Sequence, residues 1–220
     1  VQLSPVTQFR SGAGYQYEDT VIYGFSHTNK GHWNLLHLPV LPVTGNVSSG
    51  DYASTYSHSN ESARPGYYQV FLERYGVNAE LTSTLRCAYH KYTFRPDDDK
   101  KVLVDITRTN NGVRDWSIQK VDDYTFSGNQ DAEGNIRFYA VSNYKIEDVR
   151  QLKDGEHEVS IISFADSKGS KPLELKIGFS FVSIDNAKMN LEQEMKDKSF
   201  AQVRKEADKT WENLLSKIEV

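Results

Sequence analysis

The sequence predicts a mainly β fold, an antiparallel β-sandwich with one or two C-terminal α-helices. Three observations carry this. Apolar and polar residues alternate with period two at several places within residues 1–183. Turn signals separate these runs at short intervals. Over residues 185–220 the apolar period changes to three and four. Many short, punctuated strands favour an antiparallel sandwich over a parallel sheet.

A short strand, Thr20–Phe25, precedes a polar–aromatic loop and then the apolar run Leu35–Val43. A strand over Tyr67–Glu73 follows. Between Asn78 and His90, residues Ala79, Leu81, Leu85, Cys87 and Tyr89 share one parity, which predicts one strand with one buried face. Glu80, Arg86 and His90 then look outward as a charge ladder. Lys101–Thr107, Asp115–Val121, Ile136–Ser142 and Glu158–Phe164 are shorter candidates, and Leu173, Leu175, Ile177, Phe179 and Phe181 alternate most strongly. Pro96–Asp99, Asn110–Gly112, Glu133–Asn135, Asp154-Gly155 and Lys168–Ser170 are the turns. Asp185 is expected to cap a first helix with Ala187, Leu191 and Met195 facing inward. Ser199 and Gln202 form a capping box for a second, with Phe200, Val203, Ala207, Trp211, Leu214 or Leu215, and Ile218 on one face. The expected division is a sandwich over 1–184 and a helical segment over 185–220. The stop directly after a helix, with no polar tail, leads us to expect a further domain beyond it.

Composition narrows the function classes. With 220 residues and a net charge of −4, and no basic block, nucleic acid and anionic membrane are poor partners. No run of 18 apolar residues predicts a membrane span. Cys87 is the single cysteine, so an intrachain disulfide and a cysteine metal site are excluded. The 13 tyrosines suit half-buried strands and sugar-lined surfaces, because each joins an apolar ring to a polar tip. No Gly-x-Ser-x-Gly elbow, phosphate loop or EF-hand pattern is present.

Two clusters could carry chemistry. In Tyr23–Asn34, residues His27, His32, Trp33 and Asn34 suit a sugar site, the indole stacking on a pyranose and the polar groups bonding its hydroxyls. Alternatively Trp33 is core and the histidines cap loop backbone. Zinc binding by His27, His32 and His37 is a weaker reading, since steps of five fit neither helix nor strand. In Tyr56–Tyr68, His58 and Glu61 lie within reach of each other, either for acid–base work or to order the loop.

Together these clusters resemble glycoside hydrolase family 92. Gly24-Phe25-Ser26-His27-Thr28 followed by Leu38-Pro39-Val40-Leu41-Pro42 is similar to its first signature. Tyr56–Glu61, Ala63, Pro65–Tyr68, then Gly76–Thr82, Arg86 and His90–Phe94 are similar to its second. Phe181–Ser183, Ala187, Asn190–Glu192, Trp211, Leu214 and Ile218 give a third. The resemblance covers most of the chain except about 110–160. Members often carry a second His and a Ser-Gly pair where this chain has Asn29-Lys30-Gly31-His32-Trp33.

The resemblance implies a supersandwich-like N-terminal domain, a helical linker, and then a C-terminal (α/α) barrel catalytic domain of the same chain. It implies a calcium-dependent, inverting exo-α-mannosidase that acts on α-mannoside glycans and is exported by bacteria to the periplasm or cell surface. Calcium and the catalytic carboxylates are then expected in the barrel. No catalytic or metal residue is expected in these 220 residues, and His27, His32, Trp33, Asn34, His58 and Glu61 would form one wall of the sugar cleft. The alternative is a non-catalytic carbohydrate-binding or structural β-sandwich module.

Overall fold

The computed structural model describes residues 1–9, 12–155 and 157–217. Its smaller sheet has six strands, all antiparallel to their neighbours. In spatial order they are β1 (Ser4–Val6), β3 (Gly24–Ser26), β6 (Val40–Val43), β12 (Lys101–Val104), β17 (His157–Phe164) and β16 (Ile146–Asp154). The larger antiparallel sheet has eight: β13 (Asp115–Asp122), β14 (Thr125–Asp131), β15 (Ile136–Ser142), β18 (Leu173–Ser180), β11 (Cys87–Thr93), β10 (Val77–Ser83), β9 (Tyr67–Leu72) and β8 (Glu61–Arg64). Two short ribbons, β2 (Val21–Ile22) with β7 (Ser54–Thr55) and β4 (Asn29–Lys30) with β5 (Trp33–Asn34), decorate the sandwich. The helices are α1 (Ile184–Met195) and α2 (Phe200–Leu215).

The two sheets enclose one core in which Phe25, Val40, Val70, Leu81, Phe138 and Ile177 are fully or almost fully buried. Each such side chain contributes about 1.5–3 kcal/mol by leaving water. The outer face of the larger sheet is also covered. Tyr67, Cys87 and Tyr89 pack against Leu191, Met195, Phe200 and Val203 of the helices. The larger sheet is therefore the middle of three layers. Gly178 permits the closest approach, because a Cβ there would overlap the Ala187 carbonyl and sit 2.9 Å from Leu191 Cβ. The Lys176 ammonium donates to the carbonyls of Met195 (2.9 Å) and Lys198 (2.7 Å), holding the junction between the helices. A cation at the end of α1 also complements its dipole.

The middle layer corrects the reading of residues 78–90. These are two strands joined by a two-residue loop, Leu85-Arg86, closed by Thr84 N–H donating to Cys87 O (2.9 Å). In that register Leu81 faces His90 and Ser83 faces Ala88. Crossing the turn thus exchanges the parities. Ala79 and Leu81 face the inter-sheet core, whereas Cys87 and Tyr89 face the helices. His90 is fully buried rather than outward, Leu85 is 80 % exposed at the turn, and Glu80 pairs with Lys91 at 2.8 Å. Arg86 instead bonds Glu194 of α1 (2.5 Å).

The cap of α1 is Ser183, not Asp185; its hydroxyl accepts from Asn186 N–H, and Asp185 lies in the first turn. The inward face of α1 is as expected, with Ala187, Leu191 and Met195 buried. The Ser199–Gln202 capping box is formed in full. Along α2, Phe200, Val203 and Ala207 are buried, but Trp211, Leu214 and Leu215 are exposed. Ile218 lies outside the described residues.

Candidate functional site

The six residues singled out in the sequence fall in three places. His27 and Asn34 are fully buried. His27 follows β3, and its Nδ1 lies 3.3 Å from the His37 carbonyl, which can only accept, so Nδ1 carries the proton. Its Nε2 then accepts from Nε2–H of His90 (2.9 Å), and His90 Nδ1 accepts from the Tyr92 hydroxyl (2.6 Å). This chain of neutral rings joins the two sheets. Burial pushes His27 down to about 3 and His90 well below the ordinary imidazole range. Asn34 Oδ1 accepts from Ser26 Oγ (3.0 Å) and Leu36 N–H (2.9 Å). It thereby secures a segment in which Leu36 and Leu38 hold positive φ angles of 57° and 48°. Neither His27 nor Asn34 presents surface to a ligand. The zinc grouping does not form, because His27 and His37 are buried while His32 is exposed.

His32 and Trp33 sit on the β4–β5 ribbon, at one end of the sandwich. Trp33 is 50 % exposed; one part of its ring covers Gly12, where a Cβ would collide with it. His32 lies beside it, ring centroids 5.5 Å apart at 40°. The two border a cavity of about 350 Å³ lined also by Lys30, Leu35, Asn110, Asn111 and Glu133. Lys30 Nζ pairs with Glu133 at 2.8 Å and holds its carboxyl below the usual range. Asn111 donates to the same carboxylate, and Asn110 donates to the Asn34 carbonyl. The result is a half-exposed indole beside an amide-, ammonium- and carboxylate-lined hollow. Its chemistry suits a polyhydroxylated ligand with one apolar face.

His58 and Glu61 form the third place, on the 3-10 turn His58–Asn60 and the start of β8. His58 Nδ1 donates to Glu61 Oε2 (2.6 Å) and Nε2 donates to the Tyr17 carbonyl (2.6 Å). With acceptors at both nitrogens, the ring is held as an imidazolium, and the Glu61 bond is the main cause of its raised pKa. Tyr68 (2.6 Å) and Tyr15 (3.2 Å) donate to the same carboxylate, and Tyr17 stacks on the imidazole at 4.0 Å. This pair is saturated by ordering bonds. It borders a groove of about 850 Å³ that Trp211 also lines. Sequence patterns did not reveal Asn110, Asn111, Glu133 or Tyr15 as neighbours of these clusters, because they arrive from distant segments.

Among the described residues no group of three or more His, Cys, Asp or Glu side chains could hold a metal ion. No described helix is long and apolar enough to cross a membrane.

Over 98 % of its length this chain superposes, with a TM-score of 0.87 and 27 % identity, on 34 % of a family GH92 α-mannosidase from Bacteroides thetaiotaomicron, a protein also solved in complex with mannoimidazole. The fold likewise matches the GH92 family glycosyl hydrolase CcMan5 (TM-score 0.84, 24 % identity, 99 % of this chain and 34 % of that one). It matches an inverting GH92 mannosidase of B. thetaiotaomicron as well (0.84, 22 %, 99 % and 32 %). Among curated proteins no sequence matches. The model of the glycosyl hydrolase family 92 N-terminal domain matches residues 1–180, and the chain belongs to that family. It spans about a third of the length of the solved relatives.

Proposed function

We propose that this domain forms one wall of the sugar-binding cleft of a family 92 α-mannosidase and packs on a C-terminal catalytic domain of the same polypeptide. The half-exposed Trp33 beside His32, over the hollow of Lys30, Asn110, Asn111 and Glu133, carries the reading. Family membership and the likeness to an α-mannosidase support it. Sites commonly lie at domain junctions, and an indole face with ringed polar groups matches a mannoside.

The bond-breaking carboxylates belong, in this reading, to the partner domain, an (α/α) barrel. An inverting reaction needs two carboxyl groups spaced to admit a water. Glu61 is committed to His58, Tyr15 and Tyr68, which leaves it no such freedom. Calcium is assigned to the barrel too, as the family resemblance implies. The isolated 220-residue chain is therefore expected to lack turnover. The full-length protein is expected to be a bacterial enzyme exported to α-mannoside glycans outside the cytoplasm.

The test is Trp33→Ala in the full-length protein. Loss of one stacked sugar contact corresponds to about 1–3 kcal/mol, or roughly a 5- to 150-fold fall in kcat/KM on α-mannosides, with the melting temperature held. Unchanged kinetics with a lower melting temperature would make Trp33 a packing residue and end the proposal.

A further inference from the structure

Exposed apolar side chains are expected singly over a protein surface. Here most of the large ones gather at one end of the sandwich. The strand registers define that end. β18 finishes there at Ser180, opposite Arg137 at the start of β15, and Cys87 at the start of β11 lies beside Gly178. β10 finishes at Ser83 and β9 begins at Tyr67 at the same level, because Ser83 pairs with Ala88 and Thr82 with Tyr67. Leu85, 80 % exposed, is the tip of the β10–β11 turn. Phe181 and Val182, 67 % and 75 % exposed, follow β18 directly. The turn between β14 and β15 is adjacent: a Cβ on Gly134 would touch Phe181 at 3.7 Å, and Glu133 of that turn lines the Trp33 hollow. α2 runs toward the same end, since Trp211 and Ala207 lie against Gly66, the residue before β9. The exposed Leu214 and Leu215 therefore project at or beyond it.

We infer that this end face, made of Leu85, Phe181, Val182, Trp211, Leu214 and Leu215, is the docking surface for the polypeptide that follows α2 in the full-length protein. The inference rests on the two-domain reading above and adds where the junction lies. Two facts select that occupant. The solved relatives are about three times as long as this chain, so a domain-sized segment is available to cover the face. α2 also delivers its own apolar stripe, buried at Phe200 and Val203 but uncovered from Trp211 onward, to this end. A helix that is apolar on a face its own domain leaves bare is half of an interface. Trp33 borders the same end, so docking here also closes over the hollow beside it.

The test places single cysteines in the full-length protein at Leu85→Cys, Val182→Cys and Leu215→Cys. Val121→Cys and Tyr124→Cys serve as controls, being half exposed on the β13–β14 hairpin at the edge of the larger sheet. Native Cys87 is buried and gives little background. With a soluble maleimide under native conditions, the three end-face thiols are expected to react about tenfold or more slowly than the controls, and all at one rate in denaturant. Equal native rates overturn the inference. So does protection that disappears on dilution, which would assign the face to a second copy of the chain. Trp33→Ala distinguishes the two proposals: protected end-face thiols with unimpaired substrate use keep the docking surface and remove the sugar wall.

Discussion

Lowering the pH from 7 to 5 should destabilise this domain steeply through three buried imidazoles. His27, His37 and His90 are all fully buried. Burial lowers His27 to about 3, His37 to about 4, and His90 well below its ordinary value. For a base with a lowered folded pKa, the unfolded chain binds the proton first. Stability is therefore present above the unfolded value, near 6.5, and is lost as pH falls below it. At pH 5 an unfolded histidine is almost fully charged and each of these three still neutral. The loss is about 2 kcal/mol per ring and about 5–6 kcal/mol in all, comparable to the whole stability of many domains. Near pH 5 the slope approaches about 4 kcal/mol per pH unit, equivalent to three protons. The raised pKa of His58 acts oppositely, favouring the folded state at low pH, but that ring is solvent-screened. Carboxylates held low by partners, such as Asp51 by Arg74 and Glu133 by Lys30, lose their contribution only at lower pH. The assay is urea unfolding across pH 7 to 5, in the wild type and in His90→Gln. Proton uptake on unfolding should fall from about three to about two in the variant. A flat wild-type profile would refute the neutral His27–His90–Tyr92 chain.

The other expectations are more local. Gly178→Ala would force α1 off the larger sheet, because its methyl would overlap the Ala187 carbonyl. Overpacking of this kind costs about 1–3 kcal/mol, at about 2–4 °C of melting temperature per kcal/mol, so an unchanged melt would disprove the close sheet–helix approach. Glu61→Gln removes the main cause of the raised His58 pKa. The imidazole NMR titration midpoint should move down toward its ordinary value; a midpoint that stays put would show that the Tyr17 carbonyl and distant charges hold it instead.

Much of the fold was legible because several strands alternate fully buried apolar residues with half-buried ones. Ile136–Ser142 and Leu173–Ser180 alternate and were read nearly to the residue, and Ser199 with Gln202 announced α2. β14 and β16 were missed. Thr125–Asp131 is mostly buried on both faces yet built of small polar residues, and Ile146–Asp154 is an edge strand rich in charge. Residues 78–90 misled for another reason. A two-residue turn preserves apparent period two in the sequence while sending the second strand's side chains to the opposite faces. Where both faces of a sheet are covered, apolar residues on either parity look equally plausible. The candidate site was less legible still. Sequence proximity placed His27 with Trp33, but one points into the core and the other into solvent. The hollow beside Trp33 depends on Asn111 and Glu133, which lie far along the chain.

Cys87 lies in the seam between the middle sheet and the helices, fully buried, with burial lifting its thiol to about 12. It is therefore silent toward oxidants and alkylating reagents while the seam is shut. The inter-sheet core is a separate set of side chains, so the thiol depends on the helical layer and not on that core for its cover. The single thiol of this chain is thus a gauge of the sheet–helix seam, and its reaction rate would report any opening that uncovers the larger sheet.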